Sequence, residues 1–475
     1  MIYSPVSLSL NLPRLARCFA MESSSSSGKR RASNPARSPQ ATKRTLQSST
    51  TKSAVNSFFT PISQKPKNAT EWSSRAEEAS GPPTLLVGRH TVEGGESETD
   101  GRDRKKIAAF DLDSTLIAPL SGKKHGTSPT DWRWWHSSVP QRLRQLYHEE
   151  GYRVVILSNQ AGLALSPAPK SKPPKPGTQK RLSDFKLKCS AILNDLHLPT
   201  TIYAATERDR FRKPQTAMWT HVCRDCDLTE SDVDLDGSFF VGDAGGRIAG
   251  PNGSKDFSCS DRNFAHNVGI AYKTPEEFFL GLAPREFCRD LDLARYPFGS
   301  SSSSEPVLEF RKTNERDVVL LCGPPGAGKS TFYRNHLQPL GYERINQDSL
   351  KTREKCIEAA RELLSDGCSV VIDNTNADLE TRAMWVGLAK KTGIPIRCVW
   401  LKTPIPVCEH NAAVRALTPS LNPEARTGLP KVAFNSFSTR FRAPKVREGF
   451  QDVTELEFEF RGTREDYDVW GRYWT

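Results

Sequence analysis

The sequence contains no long apolar run: within its 475 residues, no stretch approaches the roughly 18 apolar residues that a membrane span requires. We therefore expect a protein that does not associate with membranes.

The sequence also contains no regular cysteine framework, since its eleven cysteines are scattered and only Cys223 and Cys226 form a CxxC pair. A zinc site would need two more ligands at matching spacing, which His221 alone does not supply. Reduced intracellular thiols are the simpler interpretation.

Acidic residues are nearly missing from the first part of the chain. Residues 1–70 contain eleven Lys and Arg and a single acid, Glu22, so this segment carries a charge of +10. Because the whole chain carries +12, residues 71–475 retain only about +2. The basicity therefore belongs to the tail, where it favours an anionic partner, and it says little about the remaining chain.

Residues 1–100 have few apolar runs and are rich in Ser, Pro, Thr and charge, so we predict a disordered tail. Within it, Lys29-Arg30-Arg31 and Lys43-Arg44 resemble a bipartite nuclear import signal, which predicts a nuclear protein. The first twenty residues resemble a mitochondrial presequence, so a mitochondrial form is the alternative if translation starts at Met1. Ordinary solvated charge is the simpler alternative for both signals.

The tail also contains a paired aromatic motif. Val55 precedes Phe58 and Phe59 with the spacing of the peptide that docks on the replication sliding clamp, although Lys52 stands where that peptide prefers Gln. Two adjacent Phe side chains in a disordered segment are costly to leave in water unless they bind a partner. We therefore predict a docking role, with the sliding clamp or another protein as the candidate partner.

A segment at 297–306, which is dominated by serine, is typical of an interdomain linker. It divides the chain beyond the tail into a unit at 101–296 and a unit at 307–475. In both units, short apolar runs typical of buried strands end in polar side chains. We predict an α/β fold in which two doubly wound parallel-sheet domains follow the tail.

The first unit places two carboxylates directly after an apolar run. Lys105–Phe110 is typical of a buried strand, and Asp111 and Asp113 follow it. Open α/β sheets bind ligands at the carboxyl ends of their strands, and alternation puts both carboxylates on one side of the chain. Such a pair can bind a divalent cation while one carboxylate attacks phosphorus and the other transfers the proton. Taken alone, the pattern is also compatible with a turn or a simple cation site.

Three later segments strengthen the prediction of a phosphate site. A second apolar run ends at Ser158, whose hydroxyl can hydrogen-bond a transferring phosphoryl group. Lys213 supplies a cation that can neutralise phosphate oxygens. A third apolar run ends at Asp243, a natural metal ligand beside Asp111.

The second unit contains a P-loop pattern in its expected context. The apolar run Asp317–Cys322 leads directly into Gly323-x-x-x-x-Gly328-Lys329-Ser330, and the residues after it fit a helix start. Glycines let backbone N–H groups approach a phosphate, Lys329 would reach the β- and γ-phosphates, and Ser330 would bind Mg²⁺. The predicted ATP-binding residues are Gly323, Gly326, Gly328, Lys329, Ser330, Thr331 and Arg415.

Three further residues of this unit are candidates for roles in catalysis or binding. Asp348 can accept the proton of an attacking hydroxyl, as kinase aspartates do, and it can also serve in capping the helix before Leu350. Arg415 fits a lid over ATP. Arg382 follows the polar end of another apolar run and is a candidate for substrate binding, although exposed arginines are usually only solvated.

In the first unit, the order DxDxT, Ser-Asn, Lys-Pro and Gly-Asp resembles the haloacid dehalogenase-like phosphatases. The resemblance implies that Asp111 is the nucleophile, Asp113 is the general acid/base, and Ser158 and Lys213 hold the phosphate. It also implies Mg²⁺ bound by the carboxylates of Asp111 and Asp243 and by the carbonyl of Asp113. Two departures stand out. Ser114 replaces the usual Gly, and Arg247 stands where a second acid often follows Gly-Asp, with Asp256 and Asp261 as candidate replacements.

A phosphatase followed by a P-loop kinase resembles the eukaryotic polynucleotide kinase/3′-phosphatases, over about residues 108–450. The most specific shared segment is DFSC-x-DR within Lys255–Arg262. The resemblance implies repair of DNA ends: the phosphatase clears a 3′-phosphate, and the kinase moves the ATP γ-phosphate to a 5′-hydroxyl. Both products are what a ligase requires. Asn159, Arg212 and Arg382 are candidate substrate-binding residues.

The expected partners are DNA ends at nicks, gaps and double-strand breaks, and the expected state is a monomer. Residues 1–100 lack the strand pattern of the forkhead-associated domain that animal members carry. A fused phosphatase and kinase for small metabolites is one alternative, and the DFSC-x-DR segment argues against it. A repair scaffold with inactive sites is another, and the intact Asp111 and Lys329 argue against it. Preference between RNA and DNA stays open.

Two features permit alternative interpretations. The Pro- and Lys-rich insert at 166–180 is either a mobile loop or a segment that follows DNA phosphates near the phosphatase site. The aromatic cluster of Trp132, Trp134 and Trp135 either belongs to the core or stacks on unpaired bases.

Overall fold

A computed structural model describes residues 70–77, 81–92, 103–165, 177–229, 231–251, 253–299 and 310–475. The predicted import, presequence and clamp-docking motifs lie outside these ranges. So do most of the predicted linker and most of the 166–180 insert.

Two sheets organise the described chain, and the first has seven strands flanked by five helices. Its seven strands are β1 (Thr70–Ala76), β2 (Pro83–His90), β3 (Lys106–Phe110), β6 (Tyr152–Asn159), β7 (Thr200–Ala205), β8 (Phe239–Val241) and β9 (Ala271–Lys273). Two short strands, β4 (Ile117–Ala118) and β5 (Arg133–Trp134), form a separate two-stranded sheet. The helices are α1 (Val139–His148), α2 (Thr178–Leu196), α3 (Ala217–Asp225), α4 (Ser260–Val268) and α5 (Pro275–Leu280).

The strand order of this sheet is β1-β2-β7-β6-β3-β8-β9. From β7 to β9 all neighbours are parallel, and successive residues of the central strands enter different apolar clusters. Ala108 and Phe110 pack on one face with α1 and α2, and Ile107 and Ala109 pack on the other with α3 and α4. Both faces are covered, as the doubly wound prediction requires. The order reverses between β6 and β8 around β3, which creates a ligand crevice at the β3 carboxyl end.

The first two strands correct one predicted boundary. They pair antiparallel with each other, and β2 pairs antiparallel with β7, although both lie inside the 1–100 range predicted to be disordered. Leu85 and Leu86 are buried in the sheet. The prediction was wrong here because the polar and Gly-rich sequence on both sides outweighed this short apolar run.

The second sheet contains five parallel strands: β10 (Val318–Cys322), β11 (Tyr342–Ile345), β12 (Ser369–Asp373), β13 (Ile396–Leu401) and β14 (Val453–Leu456). Their order is β11-β12-β10-β13-β14. The helices are α6 (Lys329–Phe332), α7 (Gln347–Leu350), α8 (Arg353–Ser365), α9 (Leu379–Thr392), α10 (Ile405–Leu417), α11 (Lys431–Arg440) and α12 (Arg464–Trp470).

Apolar clusters cover both faces of this sheet as well. Leu320 packs with α8 and α9, whereas Leu321 packs with α6, α10 and α11. A further cluster joins Leu291 and Leu293, which precede the predicted linker, to Val407, Trp470 and other aromatic residues of the second half. In this junction cluster, the two halves of the described chain pack directly against each other.

No helix of the described ranges is long and apolar enough to cross a bilayer. The predicted fold class is confirmed.

Candidate active sites

Three buried charged side chains and the half-buried Asp243 converge at the β3 end of the first sheet. Asp111 follows β3, Asp243 follows β8, and Asp261 lies in the first turn of α4. One carboxylate oxygen from each of these acids lies within 4.8 Å of the others. The Nζ atom of Lys213 lies 2.7 Å from Asp111 Oδ1 and 2.9 Å from Asp261 Oδ1, and Lys213 is only 3% exposed.

In this cluster the acids outnumber the cation, and the pKa values of Asp111 and Asp243 are raised. Burial raises the pKa of Asp111 to about 7, since Lys213 offsets only part of the cost of burying the carboxylate. Burial and the neighbouring Asp111 raise the pKa of Asp243 to about 8. Burial opposes the ammonium of Lys213, but attraction to Asp111 and Asp261 outweighs it and raises the Lys213 pKa. Three acids thus share one cation, and carboxylates in excess are the ligands that Mg²⁺ prefers.

The structure distinguishes the two candidate replacements for the missing second acid. Asp261 joins the cluster, and it also accepts a hydrogen bond from the Ala244 N–H at 3.1 Å. A Cβ atom on Gly242 would collide with its carboxylate, which explains the glycine before Asp243. Asp256 instead binds the Arg247 guanidinium, 2.8 Å away.

Arg247 therefore has a supporting role. It donates to the Asp243 carbonyl at 3.1 Å, so it braces the loop that carries Asp243.

Asp113 lies at the open side of this site rather than inside the cluster. Its side chain is 53% exposed, and its carboxylate contacts Lys188 Nζ at 3.4 Å and Gln160 Nε2 at 2.7 Å. Gln160 also donates to the hydroxyl of the buried Ser158, 2.9 Å away. Ser114 has a φ of 61°, and this left-handed conformation explains why glycine is usual there.

The two candidate substrate-binding residues of this half differ in their surroundings. Asn159 exchanges two hydrogen bonds with the backbone of Lys213, at 3.0 and 2.9 Å, so its amide holds the Lys213 loop. Arg212 has a buried Nη1 atom without a hydrogen-bond partner, and burial lowers its pKa.

In the second half, the P-loop connects β10 to α6 as predicted. Gly323, Gly326 and Gly328 have φ values of 156°, 81° and 96°, which favour glycine. A Cβ atom on Gly326 would collide with the Cys408 carbonyl of α10. The Lys329 ammonium donates to the carbonyls of Gly323 and Pro324 at 2.9 and 2.6 Å, and burial lowers its pKa.

Ser330 leads to a residue that the sequence prediction missed. Its hydroxyl donates to Asp373 Oδ2 at 2.9 Å, and Asp373 is the buried last residue of β12. Arg344 Nε lies 2.8 Å from the same oxygen. The signal was available, because Asp373 ends an apolar run just as Asp111 follows one.

A cavity of about 610 Å³ is lined by all of the predicted ATP-site residues except Gly323. Its walls include Lys329, Ser330, Thr331, Asp348 and Arg415. The Asp348 side chain is 75% exposed and lies 3.2 Å from Arg426, so it is accessible to a substrate hydroxyl. The Arg415 Nε atom is buried without a hydrogen-bond partner, and burial lowers the Arg415 pKa.

The prediction that Arg382 contacts substrate is wrong. Arg382 is 0% exposed, its Nε lies 2.7 Å from Glu448, and it donates to the carbonyls of Asn376 and Ala377 at 3.1 Å. A guanidinium with these partners stabilises the fold and cannot reach a bound strand.

The packing of the tryptophan cluster supports the core alternative. Trp132, Trp134 and Trp135 are partly buried and pack against the apolar cluster of the first sheet. Trp134 also donates to Asp195 at 2.8 Å.

Two candidate phosphate-binding sites, one on each doubly wound sheet, define an enzyme with two active sites for phosphate chemistry. The family described as "Polynucleotide kinase 3 phosphatase" matches residues 106–279, and an "AAA domain" family matches residues 318–444. The chain is 40% identical over 372 residues to the "Bifunctional polynucleotide phosphatase/kinase" of Schizosaccharomyces pombe, covering 78% of this chain and 83% of that protein. It is 30% identical over 219 residues to the "Polynucleotide 3'-phosphatase" of Saccharomyces cerevisiae, covering 37% of this chain and 87% of that protein. The chain belongs to the bifunctional polynucleotide phosphatase/kinase family.

Proposed function

We propose that this protein repairs DNA ends by removing 3′-phosphates at the first site and phosphorylating 5′-hydroxyls at the second. The observation that carries the proposal is the Asp111–Lys213–Asp261 cluster on a chain that also carries a complete P-loop cavity. The chain is a polynucleotide 3′-phosphatase and 5′-hydroxyl kinase. We place the phosphatase domain between β1 and residue 296 and the kinase domain at 307–475.

In the phosphatase step, the Asp111 carboxylate attacks phosphorus and the bond to the 3′-oxygen breaks. Asp113 gives its proton to the departing 3′-oxygen, and it then takes a proton from the water that attacks phosphorus. This second attack breaks the Asp111–phosphorus bond and releases inorganic phosphate. The exposed position of Asp113 supports this role, because it must meet both the leaving group and water.

Ser158 and Lys213 would hold the phosphate during both steps. Lys213 is already oriented by Asp111 and Asp261, so its charge needs no rearrangement when negative charge develops on phosphorus. The excess carboxylate charge at this site supports a magnesium requirement. Asp111, Asp243 and the Asp113 carbonyl, now joined by Asp261, would hold Mg²⁺, which when bound neutralises phosphate oxygens.

In the kinase step, Asp348 would accept the proton of the 5′-hydroxyl while that oxygen attacks the γ-phosphorus of ATP. The bond between the γ-phosphorus and ADP breaks, so transfer is direct. Lys329 and Arg415 would neutralise the phosphates, and Ser330 with Asp373 would hold a second Mg²⁺. The unpartnered Nε of Arg415 in the cavity supports contact with an anionic ligand.

We further propose a nuclear monomer that acts at nicks, gaps and double-strand breaks. The basic tail supports nuclear import and contact with repair proteins such as the sliding clamp. A mitochondrial form would require translation from Met1.

Magnesium should stabilise the fold through the carboxylate cluster. Because the pKa values of Asp111 and Asp243 are raised in the folded protein, protonation of these two carboxylates favours folding. Their contribution to the free energy of unfolding is fully present below about pH 4. It is lost as the pH rises through 7 to 8. Mg²⁺ binds the ionised form. We therefore expect millimolar Mg²⁺ to raise the melting temperature by about 2–4 °C at pH 8, and by less at pH 6.

The matched variants for this measurement are Asp243→Asn and Asp236→Asn, of which only the first changes the cluster; Asp236 is exposed. Thermal unfolding with and without Mg²⁺ should show a smaller shift for Asp243→Asn and an unchanged shift for Asp236→Asn. An equal shift in both variants would contradict the assignment of a cation to this cluster.

The proposed function is tested on a nicked duplex that carries a 3′-phosphate and a 5′-hydroxyl, with Mg²⁺ and ATP. We expect wild type to convert both ends, so that added ligase seals the nick. Sugar phosphates and a matched RNA nick serve as competing substrates. Faster turnover of sugar phosphates would contradict the DNA proposal and indicate a role in small-molecule metabolism. Faster turnover of the RNA nick would indicate that the substrate is RNA rather than DNA.

A further inference from the structure

The segment from Trp470 to Thr475 contacts structural elements of both catalytic sites. On the kinase side, Trp470 Nε1 donates to Asn411 Oδ1 at 2.7 Å. Asn411 Nδ2 in turn donates to the carbonyl of Gly326 in the P-loop at 3.0 Å. The segment is therefore anchored to the kinase half through α10.

The last three residues of this segment reach the phosphatase half. Asn267 in α4 exchanges two hydrogen bonds with the backbone of Tyr473, donating to its carbonyl at 2.7 Å and accepting from its N–H at 2.9 Å. Asn263, also in α4, donates to the Thr475 carbonyl at 3.1 Å. Tyr473 and Trp474 are buried, so these bonds are shielded from competing water.

The same Asn267 amide touches the catalytic loop. Its Nδ2 donates to the carbonyl of Pro214 at 2.9 Å, and Pro214 directly follows Lys213. The α4 helix that carries Asn267 also carries Asp261 in its first turn, and Asp261 binds Lys213. One side chain thus links the 473–475 segment to both residues that flank the Asp111 carboxylate.

We propose that Asn267, held by the 473–475 segment, is a positioning residue of the phosphatase site. The kinase half would then supply part of the support that places Lys213 and Asp261, while neither Asn267 nor the segment touches the substrate. Partners that orient catalytic side chains in this way affect rate strongly, because small displacements of preorganised charge reduce transition-state stabilisation. The proposal rests on the proposed phosphatase activity.

The test compares Asn267→Ala with wild type on a 3′-phosphorylated oligonucleotide and on a 5′-hydroxyl oligonucleotide. We expect phosphatase kcat to fall about 10-fold with KM nearly unchanged, because phosphate-binding groups remain but are displaced. Kinase kcat should be unchanged, because the bonds from Trp470 to Asn411 remain. The magnesium-dependent rise in melting temperature should shrink.

Two further variants keep this test decisive. Asn267→Asp preserves the shape and the bond from the Tyr473 N–H but removes both donated bonds, so we expect it to lower phosphatase kcat as well. Asn194→Ala removes an exposed amide from α2 in the same half and should change nothing.

Two outcomes would overturn the proposal. One is an unchanged phosphatase kcat in both Asn267 variants. The other is a parallel loss of phosphatase and kinase activity together with a lower melting temperature, which indicates general destabilisation. A wild-type protein without phosphatase activity would instead reject the proposed function itself.

Discussion

Asp111→Asn is expected to lower the rate of 3′-dephosphorylation by at least about 10³-fold, because it removes the proposed nucleophile. The rate of 5′-phosphorylation should stay at the wild-type value, since the P-loop cavity contains no residue of the carboxylate cluster. Rates of both reactions on one nicked duplex measure the two effects in the same sample.

Loss of folding is a poor alternative explanation for this variant. Burial already favours the neutral form of Asp111, whose pKa is raised to about 7, so a neutral amide relieves repulsion with Asp243 and Asp261. Lys213 keeps its ion pair with Asp261. We therefore expect the melting temperature in magnesium-free buffer to equal or exceed that of wild type.

The covalent step can be checked separately. Acid quenching of wild type during turnover of a 3′-³²P-labelled oligonucleotide should leave label on the protein, and Asp111→Asn should carry none. Asp236→Asn, at an exposed position, serves as the control and should behave as wild type. Label on the Asp111→Asn protein, or dephosphorylation near the wild-type rate, would show that another residue is the nucleophile.

The sequence predicts well those side chains that follow buried strands. Asp111, Ser158, Asp243 and the P-loop lie at or just after the ends of parallel strands, and each strand contains an apolar run of at least three residues. Such a run has one stable position in a sheet covered on both faces. The position of the polar residue after it is then fixed by the fold.

Residues brought in from other elements are harder to predict. Asp261 enters the phosphatase site from the first turn of a helix, and its approach depends on the missing side chain of Gly242. Neither fact has a local signal in composition or periodicity. The order of motifs could therefore name Asp256 and Asp261 as alternatives, but only three-dimensional packing separates them.

Arg382 illustrates the opposite error. An arginine shortly after a strand end has the same local pattern whether it faces a phosphate or a buried acid. Here Glu448 lies 66 residues further along the chain and binds both its Nε and Nη2 atoms. Long-range pairing of this kind cannot be inferred from one sequence, because exposed and buried arginines occur in similar local contexts.

Lys329→Met is expected to lower the rate of 5′-phosphorylation by about 10³-fold and to leave 3′-dephosphorylation unchanged. Methionine keeps an unbranched side chain of similar length in the P-loop, so packing is largely conserved. The charge that we propose to contact the β- and γ-phosphates is lost. The remaining loop N–H groups carry no formal charge, and no other ammonium lines the described cavity.

The division of the effect between kcat and the KM for ATP should distinguish a role of Lys329 in binding from a role in catalysis. If Lys329 stabilises mainly the transferring phosphoryl group, kcat falls and the KM for ATP changes little; if it serves mainly for binding, KM rises and kcat is retained. Lys391→Met, at an exposed position in the last turn of α9, is the matched control. Wild-type kinase rates in the Lys329→Met protein would show that this P-loop takes no part in the kinase reaction. A fall in phosphatase rate alone would indicate that the two sites had been assigned to the wrong halves.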